Sequence, residues 1–220
     1  MNRKPAPAPP RLDEKNLASH SLTDLELEPE IDFRALKLGG LARGNAENAR
    51  FSGVVFEGAR LGAASMCRAH FEDTIFRNCD LAGLDARQVF ASRLEIEACR
   101  ATGFVAPESD WRDAVFRDSN FSLSQFRFAK FGRARFEGCD LREADFQNAD
   151  LSGVTFQNCD LSGAQFSFAT LKNADFRSSE TQKIVVDATA LRGLIVSPLQ
   201  AAQFAAILGL QVRWNEGESL

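Results

Sequence analysis

Large apolar residues recur at every fifth position along most of this chain. Stepping by five from Phe51 meets Phe56, Leu61, Met66, Phe71, Phe76 and Leu81. A second run keeps the same phase from Trp111 through Phe116, Phe121, Phe126, Phe131 and Phe136, then on by fives from Leu141 to Phe176. A small residue sits two places before most of them, as at Ala129, Ala134, Cys139, Ala144 and Ala149. Five steps on an α-helix turn a side chain about 140°, which would scatter these residues over every face. On a flat strand, odd steps alternate between faces and would send half of them to water. The period therefore predicts a repeat architecture rather than ordinary helices or strands.

Between the two runs the pattern inverts. The large slot holds Ala86, Ala91, Ala101 and Ala106, while the small slot holds Leu84, Val89, Cys99 and Phe104. Each lost volume is matched by a larger neighbour two residues earlier, which roughly conserves the core. Trp111 resumes the phase on time, so one uninterrupted solenoid with a locally repacked coil is expected.

The repeated units "CDLRE", "ADFQN", "ADLSG" and "CDLSG" share the form small–Asp/Asn–Leu/Phe–x–x. This motif resembles that of the pentapeptide-repeat family, over roughly residues 31–190. The resemblance implies a right-handed, four-sided β-helix, an all-β solenoid in which four repeats complete one square coil. The chain then turns a corner at each repeat, and the large residue and the preceding small one both point inward. The 26 pentads from Phe51 to Phe176 would stack at the strand spacing of ~4.8 Å into a rod about 30 Å long. Proline would interrupt pairing between coils, and Pro107 is the single proline between Ile31 and Val196.

Three segments follow. Residues 1–30 read as a flexible, proline-rich tail and lead-in, 31–190 as the β-helix, and 191–220 as a C-terminal cap. In the cap, "SPLQAAQFAAILGL" predicts a helix over about 198–208. Ser197 suits the N-cap, Pro198 the first turn and Gly209 the stop.

Residues twenty apart should stack, which places Cys79, Cys99, Cys139 and Cys159 in one column with Ser119 filling the missing step. The spacing matches no zinc motif and the column lacks histidine. It reads as a ladder of small, reduced, buried thiols. Cys67, in an outward slot, is the candidate free surface thiol. Asp80, Asp140, Asp145, Asp150, Asp160 and Asp175 precede the large residues, where short acceptors can bond nearby backbone amides and hold the corner.

Composition adds limits. The 220 residues include no tyrosine and only two histidines, with 45% apolar content and a net charge of −4. No phosphate-binding glycine motif or metal-ligand spacing stands out, so no catalytic residue, cofactor or metal is assigned and the chain does not read as an enzyme. Neither a signal peptide nor a membrane-length apolar run is evident, and a cytoplasmic protein that does not bind nucleic acid directly is expected.

Function is then expected in the outward slots. Between Arg112 and Arg135 these are mostly basic, and from Glu137 to Asp175 mostly acidic. Phe128 and Phe168 also fall in outward slots, two coils apart in one column. With Arg127, Lys130, Arg133 and Arg135 they form a candidate contact patch for an unidentified protein partner. Burial of the two aromatics under the N-terminal segment is the other reading. Leu199, Phe204, Ile207, Leu208 and Leu210 are candidates for a cap that also pairs two chains as a homodimer, against a monomer with an apolar cap. The leading functional reading is a non-catalytic protein-binding scaffold. The resemblance implies an alternative, because some members mimic DNA, bind DNA gyrase or topoisomerase IV, and protect against quinolones or related toxins.

Overall fold

Parallel strand pairing at a fixed offset of twenty residues defines the molecule. In a computed structural model describing residues 5–21 and 26–213, Phe71 pairs with Ala91, Ala91 with Trp111, and Trp111 with Phe131. On the next side Phe76, Ile96, Phe116, Phe136 and Phe156 form a second such line. The sides with little regular strand are joined by single parallel bridges at the same offset, as in Asp80–Arg100–Asn120–Asp140–Asp160–Glu180. The result is a β-solenoid of about seven turns closed by one C-terminal helix.

The corner is made by the residue two places after each large one. It adopts the left-handed region almost without exception, for example Asn78 (φ 53°), Glu143 (φ 56°) and Gly163 (φ 72°). The residue just before the large one supports this turn. Oδ1 of Asp80, Asp140, Asp145, Asp150, Asp160 and Asp175 accepts from the backbone N–H two residues on, at 2.9–3.2 Å. These aspartates are corner braces, as their slot predicted.

The inward large residues form the core. Phenylalanines twenty apart mostly stack face to face: Phe116 and Phe136 have centroids 4.4 Å apart at 8°, and Phe136 and Phe156 are 5.0 Å apart at 3°, while Phe156 and Phe176 meet at 83°. Phenylalanines on adjoining sides meet edge to face, as Phe116 and Phe121 do at 83°. Both arrangements suit the ring quadrupole. The inverted coil is buried as expected: Leu84, Val89, Cys99 and Phe104 lie in the core with Ala86, Ala91, Ala101 and Ala106.

The cysteine column is also real. Cys79, Cys99, Cys139 and Cys159 are buried and unbridged, and Cys67 is partly exposed. Cys79 N–H donates to Sγ of Cys99, and Cys99 N–H to Oγ of Ser119. The sulfur of Cys79 caps the Phe56 carbonyl one coil below at 3.3 Å. Ser119 is thus a member of the ladder, with a hydroxyl in place of a thiol.

Both ends depart from the regular coil. The first turns are shorter: Ala18 pairs with Leu36, Phe33 with Phe51, and Glu26 with Arg43. Strand pairing therefore begins at Ala18–Ser21, well ahead of residue 31. Part of the acidic lead-in, residues 22–25, lies outside the described residues, as do 1–4 and 214–220. Residues 5–16 do not coil. They run along one corner of the rod, with Leu12 beside Gly53 and Glu14 paired with Arg77.

At the far end the helix Pro198–Ile207 begins with a full capping box. Ser197 Oγ accepts from Gln200 N–H at 3.3 Å, and Gln200 Oε1 accepts from Ser197 N–H at 2.9 Å. One sequence expectation is overturned here. On the sequence reading Phe204 belongs to the apolar surface that pairs two chains. Instead Gln200 and Phe204 are buried against the last coil. Gln200 Nε2 donates to the carbonyls of Phe176 and Ser179, both at 2.8 Å, and Gln203 meets Thr181. A square coil ends with unpaired carbonyls that no aliphatic side chain can satisfy, so the amide must face inward.

Candidate functional site

The outward charges are paired almost coil by coil. Asp73 binds Arg93, Asp80 binds Arg100, Asp113 binds Arg133 and Arg117 binds Glu137, each pair twenty residues apart. Within the block from Arg112 to Arg135, Arg112 is held by Asp110, Arg127 by Asp145 and Arg135 by Glu137. Among the described residues Lys130 is the one basic side chain of that block without an ion-pair partner. In the acidic half Arg142 pairs with Asp140 and Asp160, and Arg177 with Asp175. Sign alternates up the Asp73–Arg93–Asp113–Arg133 corner and along Arg77–Glu97–Arg117–Glu137, whereas Asp140, Asp160 and Glu180 follow one another in successive coils. Such exposed pairs add little stability individually, about 0–1 kcal/mol, so their main effect is on the surface potential.

The candidate patch is divided by this geometry. Arg127, Phe128, Lys130 and Phe168 share one corner region, while Arg133 and Arg135 lie at the next corner around. The aromatics are not covered by the N-terminal segment, which follows the Asp73–Asp113 corner. Phe128 is 55% and Phe168 72% exposed. Leu123, 54% exposed, marks the preceding corner on the same side as Phe128.

These two phenylalanines occupy the left-handed corner slot, with φ of 58° and 61°. A bulky side chain there costs roughly 1–2 kcal/mol compared with ordinary backbone, and Gly or Asn would fit better. Neither ring is buried in return. Their backbones are nonetheless fixed. Phe128 N–H donates to the Gln147 carbonyl at 3.0 Å, and Phe168 N–H to Oδ2 of Asp187 at 2.6 Å. The Asp187 carboxylate also accepts from the backbone and hydroxyl of Thr189 and from Ala190 N–H. The Thr189 hydroxyl first, and then the Phe168 amide, push its pKa down to about 2. Phe168 is thereby presented on a rigid corner, in line with Phe128 at two coils, or ~9.6 Å. Sequence reasoning located the two rings from the period, but the left-handed slot and the Asp187 anchor have no signature in the pattern of apolar positions.

The second apolar surface is at the C-terminus. Leu199 (47% exposed), Ile207, Leu208, Leu210 and Val212 are exposed there, and Val185 is exposed on the last coils. Of the proposed cap residues, Phe204 alone is withdrawn into the coil end. Among the described residues no group of three or more His, Cys, Asp or Glu side chains could hold a metal ion. No described helix is long and apolar enough to cross a membrane.

Comparison with known proteins follows this geometry. A model described as a pentapeptide repeat region matches residues 129–195, and one described as pentapeptide repeats in eight copies matches 41–73, 56–89 and 108–138. The unmatched interval 90–107 falls within the inverted coil. Two trypsin-treated variants of QnrB1, a plasmid-mediated fluoroquinolone resistance protein, are similar in structure at 24% identity. Each match covers 90% of this chain and 98% or 99% of the other, with TM-scores of 0.45 and 0.46. A pentapeptide repeat protein from the Arabidopsis thaliana thylakoid lumen matches at 21% identity over 44% of this chain and 72% of its own, with a TM-score of 0.27. No curated protein matches the sequence. The two repeat models together span more than half of the chain, over corners that each turn on five residues, and the chain belongs to the pentapeptide-repeat family.

Proposed function

We propose that this protein is a non-catalytic scaffold that binds a partner protein through the corner carrying Phe128 and Phe168. The observation that carries the reading is their placement: two exposed aromatic rings in strained backbone slots, aligned two coils apart and held rigid. The fold gains nothing from them there, whereas aromatic anchors on a rigid surface suit a protein interface. Lys130, free of any ion pair among the described residues, and Arg127 would border such a contact.

The gyrase- or topoisomerase-binding alternative has less support. DNA mimicry needs a long acidic face, and here carboxylates alternate with arginines on two columns, the acidic run being confined to Asp140, Asp160 and Glu180 in the last coils. Pairing of two chains through the C-terminal helix is a separate proposal, supported by the exposed group Leu199, Ile207, Leu208 and Leu210.

The test is affinity capture from native cytosol with the wild-type chain and a Phe128→Asn/Phe168→Asn variant, which removes both rings and relaxes both corners. A protein retained near stoichiometry by the wild type and lost with the variant is expected. Equal retention of every captured protein by both would overturn the aromatic corner, and gyrase subunits among the retained proteins would favour the alternative.

A further inference from the structure

The N-terminal segment crosses the coils at a spacing set by its own prolines. Ala8 N–H donates to Oδ1 of Asp113 at 3.1 Å, and Arg11 N–H to Oδ1 of Asp73 at 2.9 Å. Asp73 and Asp113 occupy one corner two coils apart, ~9.6 Å at the strand spacing. Three residues of polyproline II advance ~9.3 Å, so donors three apart meet acceptors two coils apart with no adjustment. The residues between the donors are Pro9 and Pro10. They have no N–H to leave unsatisfied while passing Arg93, which fills the intervening coil.

The acceptors are fixed in advance. Arg93 Nε lies 2.6 Å from Asp73 and Arg133 Nε 2.6 Å from Asp113, so each carboxylate is oriented by an arginine one coil above. Asp113 is itself buried. The same corner continues past the segment through Gly153, Asn173 and Gly193. There a groove of about 940 Å³ opens, with Pro5 and Pro7 at one end and Thr155, Lys172 and Ile195 further along.

We propose that this corner is a recognition track for polyproline II segments, reading backbone N–H groups three residues apart with Asp73 and Asp113. Its resident ligand is the N-terminal segment, and a proline-rich segment of a partner protein with the spacing X-Pro-Pro-X takes its place. The track is a different surface from the Phe128–Phe168 corner, and either can fail without the other.

The probe is a fluorescent peptide with the sequence of residues 5–14, PAPAPPRLDE, titrated against the full chain by anisotropy. A full-chain Ala8→Pro/Arg11→Pro variant removes both resident donors and leaves the corner untouched. The peptide should bind this variant at least tenfold more tightly than it binds the wild type. Adding Asp73→Ala and Asp113→Ala should abolish binding. If those acidic-site variants do not fold, a peptide N-methylated at the positions of Ala8 and Arg11 serves instead, and should bind at least tenfold more weakly than the parent. Equal binding to wild type and released variant, no binding to either, or full binding by the N-methylated peptide would overturn the proposal.

Discussion

Gln200 Nε2 donates to the carbonyl of Phe176 at 2.8 Å, so the residue that completes the helix cap also closes the last coil. The same amide nitrogen reaches the Ser179 carbonyl, while its oxygen accepts from Ser197 N–H. Gln200→Ala removes the side-chain half of the capping box and takes a donor from the Ser179 carbonyl, while the Phe176 carbonyl keeps the Ser179 N–H at 3.0 Å. A loss of about 1–3 kcal/mol is expected, the cost of one buried acceptor left without its partner. Urea denaturation checks it, with Gln203→Ala, whose residue is exposed, shifting the midpoint much less.

The thiols make the second prediction. Sulfur–sulfur contact with Cys99, and then burial, push the Cys79 thiol up, and Cys159 and burial do the same for Cys139. Neutral, enclosed thiols are slow nucleophiles. In folded protein at pH 8 a disulfide reagent should titrate Cys67 quickly and the other four only on unfolding. Burial raises the Cys67 thiol as well, so even that reaction should be slower than for a free peptide thiol. Rapid reaction of two or more thiols would count against the ladder.

Phe168→Asn should separate stability from binding. Asn tolerates the left-handed slot better than Phe, and the side chain lost is 72% exposed. The variant should be as stable as wild type or more so, by up to about 1 kcal/mol, yet capture less partner. A clear drop in thermal midpoint would instead assign Phe168 a structural role.

Acid should loosen the N-terminal segment before it melts the rod. The hydrogen bonds from Arg93 and Arg133 hold the Asp73 and Asp113 carboxyls below their ordinary values. A depressed folded pKa gives stability that is complete above the unfolded pKa of ~3.9 and is lost as pH falls through the folded value. Protection of the Ala8 and Arg11 amides, measured by hydrogen exchange, should hold from pH 7 to about pH 5 and decline below about pH 4. Protection that declines between pH 7 and 5 would implicate another group.

The dimer proposal now rests on different side chains. Phe204 is buried, so charging it should unfold the cap and says nothing about association. Leu199→Glu with Leu208→Glu, both at exposed positions, should give a folded monomer by light scattering. Wild-type protein that is already monomeric at tens of micromolar would remove the dimer.

What the sequence revealed follows from what repeats. The core is written in side-chain volume at fixed intervals, so Phe136, the Leu84–Phe104 inversion and the cysteine ladder could all be located by counting. The early turns could not, because pairings such as Phe33 with Phe51 span fewer than twenty residues and break the count. The N-terminal segment was hidden for another reason: Asp73 and Asp113 hold it by backbone N–H groups, which every non-proline residue carries. The role of Gln200 was not legible because a helical projection assigns polar residues to water, whereas the end of a coil has backbone carbonyls for an amide to meet.

The corner every five residues also makes chain length an angular variable. Five residues inserted between Phe128 and Phe168 would leave the core phase intact but rotate Phe168 a quarter turn, onto the neighbouring edge. Twenty inserted residues would restore its direction and lengthen the separation from ~9.6 to ~14.4 Å. In such a rod, small in-frame duplications act as a dial and whole-coil duplications as a ruler, so the bearing and the reach of a contact can be changed independently.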